Sequence, residues 1–318
     1  MKFAFLLSGE NVELAKWEVL QLANSYGKIY SFEIDDRLLI IDYEGKKFFD
    51  RLAMSHEVYE VLDVTESDAK PFFEKVDIPD LPTCVRVKGV VEDSMKLEKE
   101  LGAVLWKRGA KISVSNPKVV FVVYYGRENC YLCKLAHVTD KKQFLARAPI
   151  NRPFFMPSVV LPKFARTLVN LSGAKRDLLD PMCGTGSILI EAELLGLYAV
   201  GLELYKKIAG GCRVNLRSLG LKSDVIVGDA TQMPFKDDSF EAIVTDYPYL
   251  RSTKTESELS ELYEKSLEEF GRVLQKDCYA VLVSNLDVEN YFKNLKLVVK
   301  LKQRVHGSLT RRIFVVKS

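Results

Sequence analysis

Between residues 177 and 246 four short apolar runs each end on a carboxylate: DLLD on Asp180, YAVGLE on Glu203, DVIVGD on Asp229 and FEAIVTD on Asp246. Stretches of helical character, SILIEAELLG and YKKIAGGCRVNLRSLG, separate the first three runs. Strands joined by helices run parallel, because a tight turn cannot carry the chain back to the starting end of the sheet. Their carboxyl ends then share one edge, which is where open α/β sheets bind ligands. A single acid at a strand end is a cap or turn residue about as often as a ligand contact. Three in succession, Asp180, Glu203 and Asp229, argue for a ligand edge.

The turn after the first strand sharpens this. PMCGTG places Gly184 and Gly186 directly before a helix, so backbone can approach a ligand and free N–H groups face it. Position 189 is Leu, so the three-glycine dinucleotide fingerprint is incomplete, and no Lys-Ser/Thr pair follows to make a phosphate-cradling loop. Glu203 follows about 20 residues later, where a ribose-binding carboxylate belongs in such folds. Acids along the edge suit a nucleoside-bearing ligand that also carries positive charge.

The rest of the 318 residues exceeds what one core needs and predicts two or three domains. Residues 1–65 read strand, helix, strand, strand, helix, strand, with a turn at Asp35-Asp36; this is a small ferredoxin-like α+β order. Residues 66–145 read strand, helix and three strands, KISVS among them, and form the second expected domain. Residues 146–160 are a proline-rich linker, and 161–318 hold the parallel sheet, ending in two strand-like runs that predict an antiparallel hairpin. Net charge is only +3, yet residues 81–152 hold 14 Lys/Arg against 6 Asp/Glu. Lys96, Lys99, Lys107, Arg108 and Lys111 cluster in and around one helix, which points to a polyanion contact. Trp17 and Trp106 fall on helix faces and read as core.

Several function classes are excluded or disfavoured. No apolar stretch is long enough to span a bilayer, and no cleavable leader is expected. Six scattered cysteines suggest reduced thiols and a cytoplasmic setting. CYLC at 130–133 lacks a second Cys/His pair, and the three histidines are far apart, so no metal site is expected.

DPMCGTG, GLE, GDA and DYPYLRST, taken in order, resemble the S-adenosyl-L-methionine-dependent methyltransferases that modify exocyclic nitrogens. RPFFMPSVVLPKFARTLVNLSG joined to DPMCGTGSILIEAELLG resembles, more narrowly, the archaeal tRNA guanine-10 N2-methyltransferases, which carry a THUMP RNA-binding domain. The likeness covers about 150 through 316, VHGSLTRRIFV included. It implies a Rossmann-like methyltransferase domain, with a mostly parallel seven-stranded sheet, behind ferredoxin-like and THUMP domains. It also implies that Asp180, Cys183, Gly184, Thr185, Gly186, Glu203, Asp229 and Ala230 hold S-adenosyl-L-methionine. Glu203 stands where aspartate is more usual, and either carboxylate reaches ribose hydroxyls.

Family members usually read Asp-Pro-Pro-Tyr-Gly where this chain reads Asp246-Tyr247-Pro248-Tyr249-Leu250. The physical logic survives the two changes. The N2 amine of guanine is a poor nucleophile, since its lone pair is delocalised into the ring. Asp246 and the Tyr247 carbonyl can accept its N–H bonds and orient that lone pair, Pro248 stiffens the backbone, and Tyr249 can stack on the base. Arg251, Arg311 and Arg312 are candidate phosphate contacts. The expected activity is methyl transfer to N2 of guanosine 10 in tRNA, once or twice. Two alternatives stay open: the same chemistry on another exocyclic amine, in RNA or at adenine N6, and a non-catalytic RNA-binding subunit. tRNA is the expected partner of an otherwise monomeric chain, with a small activating protein as a further candidate.

Overall fold

The structure is a computed structural model and describes residues 1–66, 68–157, 159–249, 256–306 and 309–318. The chain divides into two compact units: residues 1–12, 26–50 and 55–139 form the first, and 13–25, 51–54 and 140–318 the second.

The strands of the first unit are β1 (Lys2–Leu7), β2 (Gly27–Asp35), β3 (Leu38–Gly45), β4 (Ser55–Thr65), β5 (Thr83–Gly89), β6 (Val119–Tyr125) and β7 (Cys130–Val138). They form one sheet in the order β2-β3-β1-β4-β7-β6-β5. The two expected N-terminal segments meet in it through the antiparallel pairing of β4 with β7, from Glu57↔Val138 to Thr65↔Cys130. Asp36 turns the β2–β3 hairpin with a positive φ of 57°, a conformation that aspartate tolerates better than most residues. Two expectations fail. The helix expected before β4 is only a three-residue 3-10 turn, Phe49–Arg51. KISVS forms no strand: it meets the edge strand β5 at a single parallel bridge between Thr83 and Ile112, with Thr83 N donating to Lys111 O and Ser113 N to Thr83 O.

Helix α1 (Val12–Tyr26) lies almost wholly in the second unit, and α2 (Lys70–Phe73) and α3 (Ser94–Lys107) in the first. Asp93 caps α3 by accepting from Lys96 N at 2.9 Å. A buried network explains why residues 13–25 and 51–54 group with the second unit. Glu18 accepts from Ala53 N at 3.0 Å, Met54 N at 2.8 Å and Asn170 Nδ2 at 2.8 Å, and Arg51 Nη1 donates to Ala174 O at 2.7 Å. Burial without a fully compensating cation pushes the Glu18 carboxyl up.

The second unit continues with α4 (Lys142–Ala146), α5 (Pro162–Leu171), β8 (Asp177–Asp180), α6 (Ser187–Leu194), β9 (Tyr198–Glu203), α7 (Lys206–Ser218), β10 (Asp224–Val227), β11 (Phe240–Asp246), α8 (Glu256–Val273), β12 (Leu274–Ser284), β13 (Lys296–His306) and β14 (Leu309–Lys317). Sheet order is β10-β9-β8-β11-β12-β14-β13. The first five strands are parallel, and β14 runs antiparallel to β12 and β13, which is the expected terminal hairpin. From β8 the order runs outward one way to β10, then restarts on the other side with β11. The crevice at such a reversal is where this class of sheet places its ligand. Leu179, Val200, Leu202, Ile243, Phe270, Leu282 and Phe314 are among the residues buried in the core of this unit.

Candidate active site

At the reversal point the carboxyl ends of β8 and β11 are neighbours, which brings Asp180 and Asp246 to one edge. They line a cavity of about 940 Å³ together with Cys183, Gly184, Thr185, Glu203, Asp229, Ala230, Tyr247, Pro248 and Tyr249. Of the residues proposed from sequence for cofactor and base, only Gly186 is not part of that lining, and it heads α6 as its N-cap, with φ 89°. The volume is at the upper end of what single small-ligand sites span.

The glycine turn is shaped from both sides. Gly184 has φ 53°, and a Cβ added there would meet no atom within 4 Å, so the turn presents bare backbone to the cavity. At Gly186 an added Cβ would sit 2.6 Å from Cys212 Sγ. Glu203 locks the turn from the next strand, accepting from Gly184 N at 3.1 Å and Tyr205 N at 2.9 Å. Asp229 Oδ1 accepts from Thr231 N and Thr231 Oγ1, both at 2.8 Å. Cys183 is buried; its contact with Cys212 and then burial hold the thiol protonated, as suits a packing residue rather than a nucleophile.

The cavity's charge is one-sided. Among the described residues, Asp180, Glu203, Asp229 and Asp246 line it, against one cation, Arg311. Burial pushes the Asp180 carboxyl up to about 8, despite bonds from Met182 N and Thr245 Oγ1, and the nearby Asp246 and Glu203 add to the rise. Burial likewise pushes Asp246 up to about 6, with Arg311 and the Tyr249 hydroxyl opposing it. A ligand that brings positive charge relieves this repulsion. Bare backbone at Gly184, a carboxylate one strand on, and an acid-rich wall therefore fit S-adenosyl-L-methionine.

Other placements were not legible. The Tyr247 ring turns away into the core against Tyr263 and Phe270, and its hydroxyl lies 2.8 Å from Ser266 Oγ, so only its backbone is offered at the β11 end. Leu204, Tyr205 and Ile208 add an apolar wall beside Glu203; Leu204 and Tyr205 remain more than half exposed. Two large apolar residues directly after a strand-end acid were the available signal. The proline-rich segment is part of the site as well. Met156, Pro157 and Val160 line the cavity, and Arg152 Nη1 donates to Ser187 Oγ at 2.8 Å. Phe154 N donates to Asn215 Oδ1 at 2.9 Å, while Asn215 Nδ2 donates to Phe154 O at 2.9 Å and Thr185 O at 3.0 Å.

The basic residues separate into groups. Lys96, Lys99 and Lys107 are exposed on α3, and Trp106 beside them is 66% exposed rather than core. Arg108 Nη1 donates to Phe73 O and Val76 O, both at 2.8 Å, and Lys111 pairs with Asp80 at 2.5 Å. Arg312 Nη1 bonds Asn285 O. Arg311 is turned inward and is 7% exposed, because its strand position faces the cavity rather than the outer surface. Arg251 and Leu250 lie outside the described residues.

Fold and site together define a Rossmann-like methyltransferase. A family model for the RMKL-like methyltransferase domain matches residues 149–313, just over half of the chain. The tRNA (guanine(10)-N2)-dimethyltransferase of Pyrococcus abyssi (strain GE5 / Orsay) is 31% identical, over 96% of this chain and 96% of its own. The corresponding protein of Methanothermobacter thermautotrophicus is 32% identical, over 100% of this chain and 99% of its own. The chain belongs to the tRNA (guanine(10)-N2)-dimethyltransferase family. The crystal structure of TrmN from Thermus thermophilus shares the fold, with a TM-score of 0.54 at 19% identity over 100% of both chains. Among the described residues no helix is long and apolar enough to cross a membrane.

Proposed function

We propose that this chain methylates the exocyclic N2 of guanine 10 in tRNA, with S-adenosyl-L-methionine as donor. The observation that carries the reading is that Asp246, the backbone of Tyr247-Pro248 and Tyr249 line the same cavity as the Gly184 turn and Glu203. When bound, the cofactor supplies an electrophilic methyl group on a sulfonium. Glu203, Asp229 and the backbone of residues 183–185 would hold its nucleoside, and the acid wall would favour its positive charge.

The protein's own part is orientation. Asp246 accepts one N–H of the base's amine and the Tyr247 carbonyl the other, which turns the nitrogen lone pair into the cavity. Well-aligned groups supply roughly 7–11 kcal/mol of barrier lowering by geometry alone. The amine sheds one proton as it gains carbon, and Asp246, held at about 6, is suited to receive it. A base in a stem must leave its stack to enter, at a cost of a few kcal/mol. The exposed lysines of α3, in a THUMP-type RNA-binding segment over 66–145, offset this by gripping phosphates. The protein acts in the cytoplasm on tRNA, and a small activating protein is a further partner to test.

The decisive experiment is transfer of labelled methyl from the cofactor into unmodified tRNA, followed by nucleoside mapping. Label is expected at N2 of guanosine 10, and Asp246→Asn is expected to lower the rate by about 10²–10⁴-fold. Label found only on adenine, or an Asp246→Asn protein of full activity, would overturn the reading.

A further inference from the structure

Three side chains from distant parts of the sequence meet at the wall of the cavity. Arg311 stands on β14, Asp246 ends β11, and Tyr249 lies three residues beyond. Arg311 Nε donates to the Tyr249 hydroxyl at 2.8 Å, and that hydroxyl donates to Asp246 Oδ1 at 2.5 Å. A guanidinium has no acceptor, so the chain of bonds has one direction: it forces the phenolic hydrogen onto the carboxylate. Each bond polarises the next. Arg311 Nη2 lies 3.9 Å from Asp246 Oδ2, too far to bond it but close enough to act through charge. The guanidinium is itself held over the Phe164 ring, 5.1 Å from its centroid, and near the Tyr249 ring at 5.8 Å. Among the described residues Oδ1 accepts this bond and Oδ2 accepts none.

We propose that Arg311 is a positioning residue for methyl transfer: it clamps the Tyr249 phenol on Oδ1 and keeps Asp246 ionised, so that Oδ2 is the oxygen offered to the substrate's amine. This rests on the reading of Asp246 as the group that orients that amine. A phosphate contact by Arg311, expected from the run of two arginines in the tail, would have to use the Nη groups of a side chain that is 7% exposed and already bonded through Nε.

Among the described residues, the charged and titratable groups bearing on Asp246 are Arg311 from β14, Tyr249 from the adjoining turn and Asp180 from neighbouring β8. Burial raises the Asp246 carboxyl, while Arg311 and then the Tyr249 bond oppose the rise. The working form is the carboxylate, so activity is present above its titration and lost as pH falls through it. Removing Arg311 takes away the opposing charge, and the loss then begins at higher pH.

The test is single-turnover methyl transfer by the full chain from pH 5 to 9, with saturating tRNA and cofactor. Wild type, Arg311→Met and Tyr249→Phe are compared. For both variants the acid limb is expected to move to higher pH, with at least about tenfold more relative loss at pH 6 than at pH 8.5. An Arg311→Met limb that coincides with wild type, with the defect appearing only as a higher half-saturating concentration when tRNA is varied, makes Arg311 a phosphate contact and overturns the proposal. If Arg311→Met does not fold, Tyr249→Phe decides, and an unmoved limb there overturns it equally. Failure of the underlying reading is separately visible: wild type would then put no label on guanine N2, and the proposal falls with it.

Discussion

Two adjacent glycines in α7 should respond to the same substitution with opposite signs. At Gly211 an added Cβ would lie 2.1, 2.3 and 2.4 Å from three carbons of the Phe154 ring. At Gly210 it would meet nothing within 4 Å. Gly210→Ala therefore gains helix propensity and is expected to stabilise by about 0.5–1 kcal/mol. Gly211→Ala must push the ring away, and overpacking of that kind costs about 1–3 kcal/mol. The backbone that carries the ring is not free to yield, since Phe154 N and O both bond Asn215, whose amide also donates to Thr185 O in the glycine turn. Each bond broken by the shift adds about 1 kcal/mol. In a unit of this size each kcal/mol moves Tm by about 2–4 °C, so the two variants should melt on opposite sides of wild type. Calorimetry with S-adenosyl-L-methionine reads the second consequence. If the Thr185 tether loosens at a cost of about 1 kcal/mol, Kd rises about fivefold for Gly211→Ala and stays put for Gly210→Ala. Equal Tm shifts in the two variants would refute the account of Phe154 as a wedge between linker and turn.

Two further outcomes follow from the site and from α3. Asp180 titrates at about 8 in the folded chain and near 4 unfolded, so folding takes up a proton; the stability this lends is full below about pH 4 and is lost as pH rises towards 8. Asp180→Asn should flatten that fall in thermal melts of the ligand-free protein between pH 4 and 8, and an unchanged slope would contradict the assignment. Replacing Lys96, Lys99 and Lys107 by Glu should weaken tRNA binding and lower its salt dependence by about 1 in log-log slope for each phosphate no longer gripped. Arg108→Ala, by contrast, removes two bonds to the carbonyls of Phe73 and Val76 and should cost about 1 kcal/mol for each in stability; filter binding across salt and thermal melts separate the two effects.

The sheet of the second unit was legible because each strand announces its end. Four apolar runs closing on Asp180, Glu203, Asp229 and Asp246 set the edge, and the Gly184 turn marked the crevice. What escaped were contacts that depend on distant pairing. Arg311 lies 62 residues from Tyr249, and its place in the β13–β14 hairpin, opposite Gln303, is set by pairing that spacing alone does not give. Tyr247 and Tyr249 are two apart in a segment that no longer pairs as a strand beyond Asp246, so alternation could not tell which ring enters the core. Trp106 fits a helical apolar face by spacing, yet α3 buries only Leu101 and Leu105 and leaves the indole in solvent. KISVS has strand periodicity yet meets β5 only at the Thr83–Ile112 bridge. The prolines of 149–157 marked a linker; that this stretch also lines the cavity through Met156 and Pro157, and bonds Ser187 and Asn215 through Arg152 and Phe154, depends on distant partners.

The seam between β4 and β7 limits how the molecule can be dissected. A chain severed between Thr65 and Lys70 would leave two pieces, each with a raw strand flank of several unmet N–H and C=O groups. Such flanks recruit any strand they encounter, so the separate halves are expected to precipitate or cross-pair during expression, and mixing them would regenerate the intact ladder only in competition with that self-association.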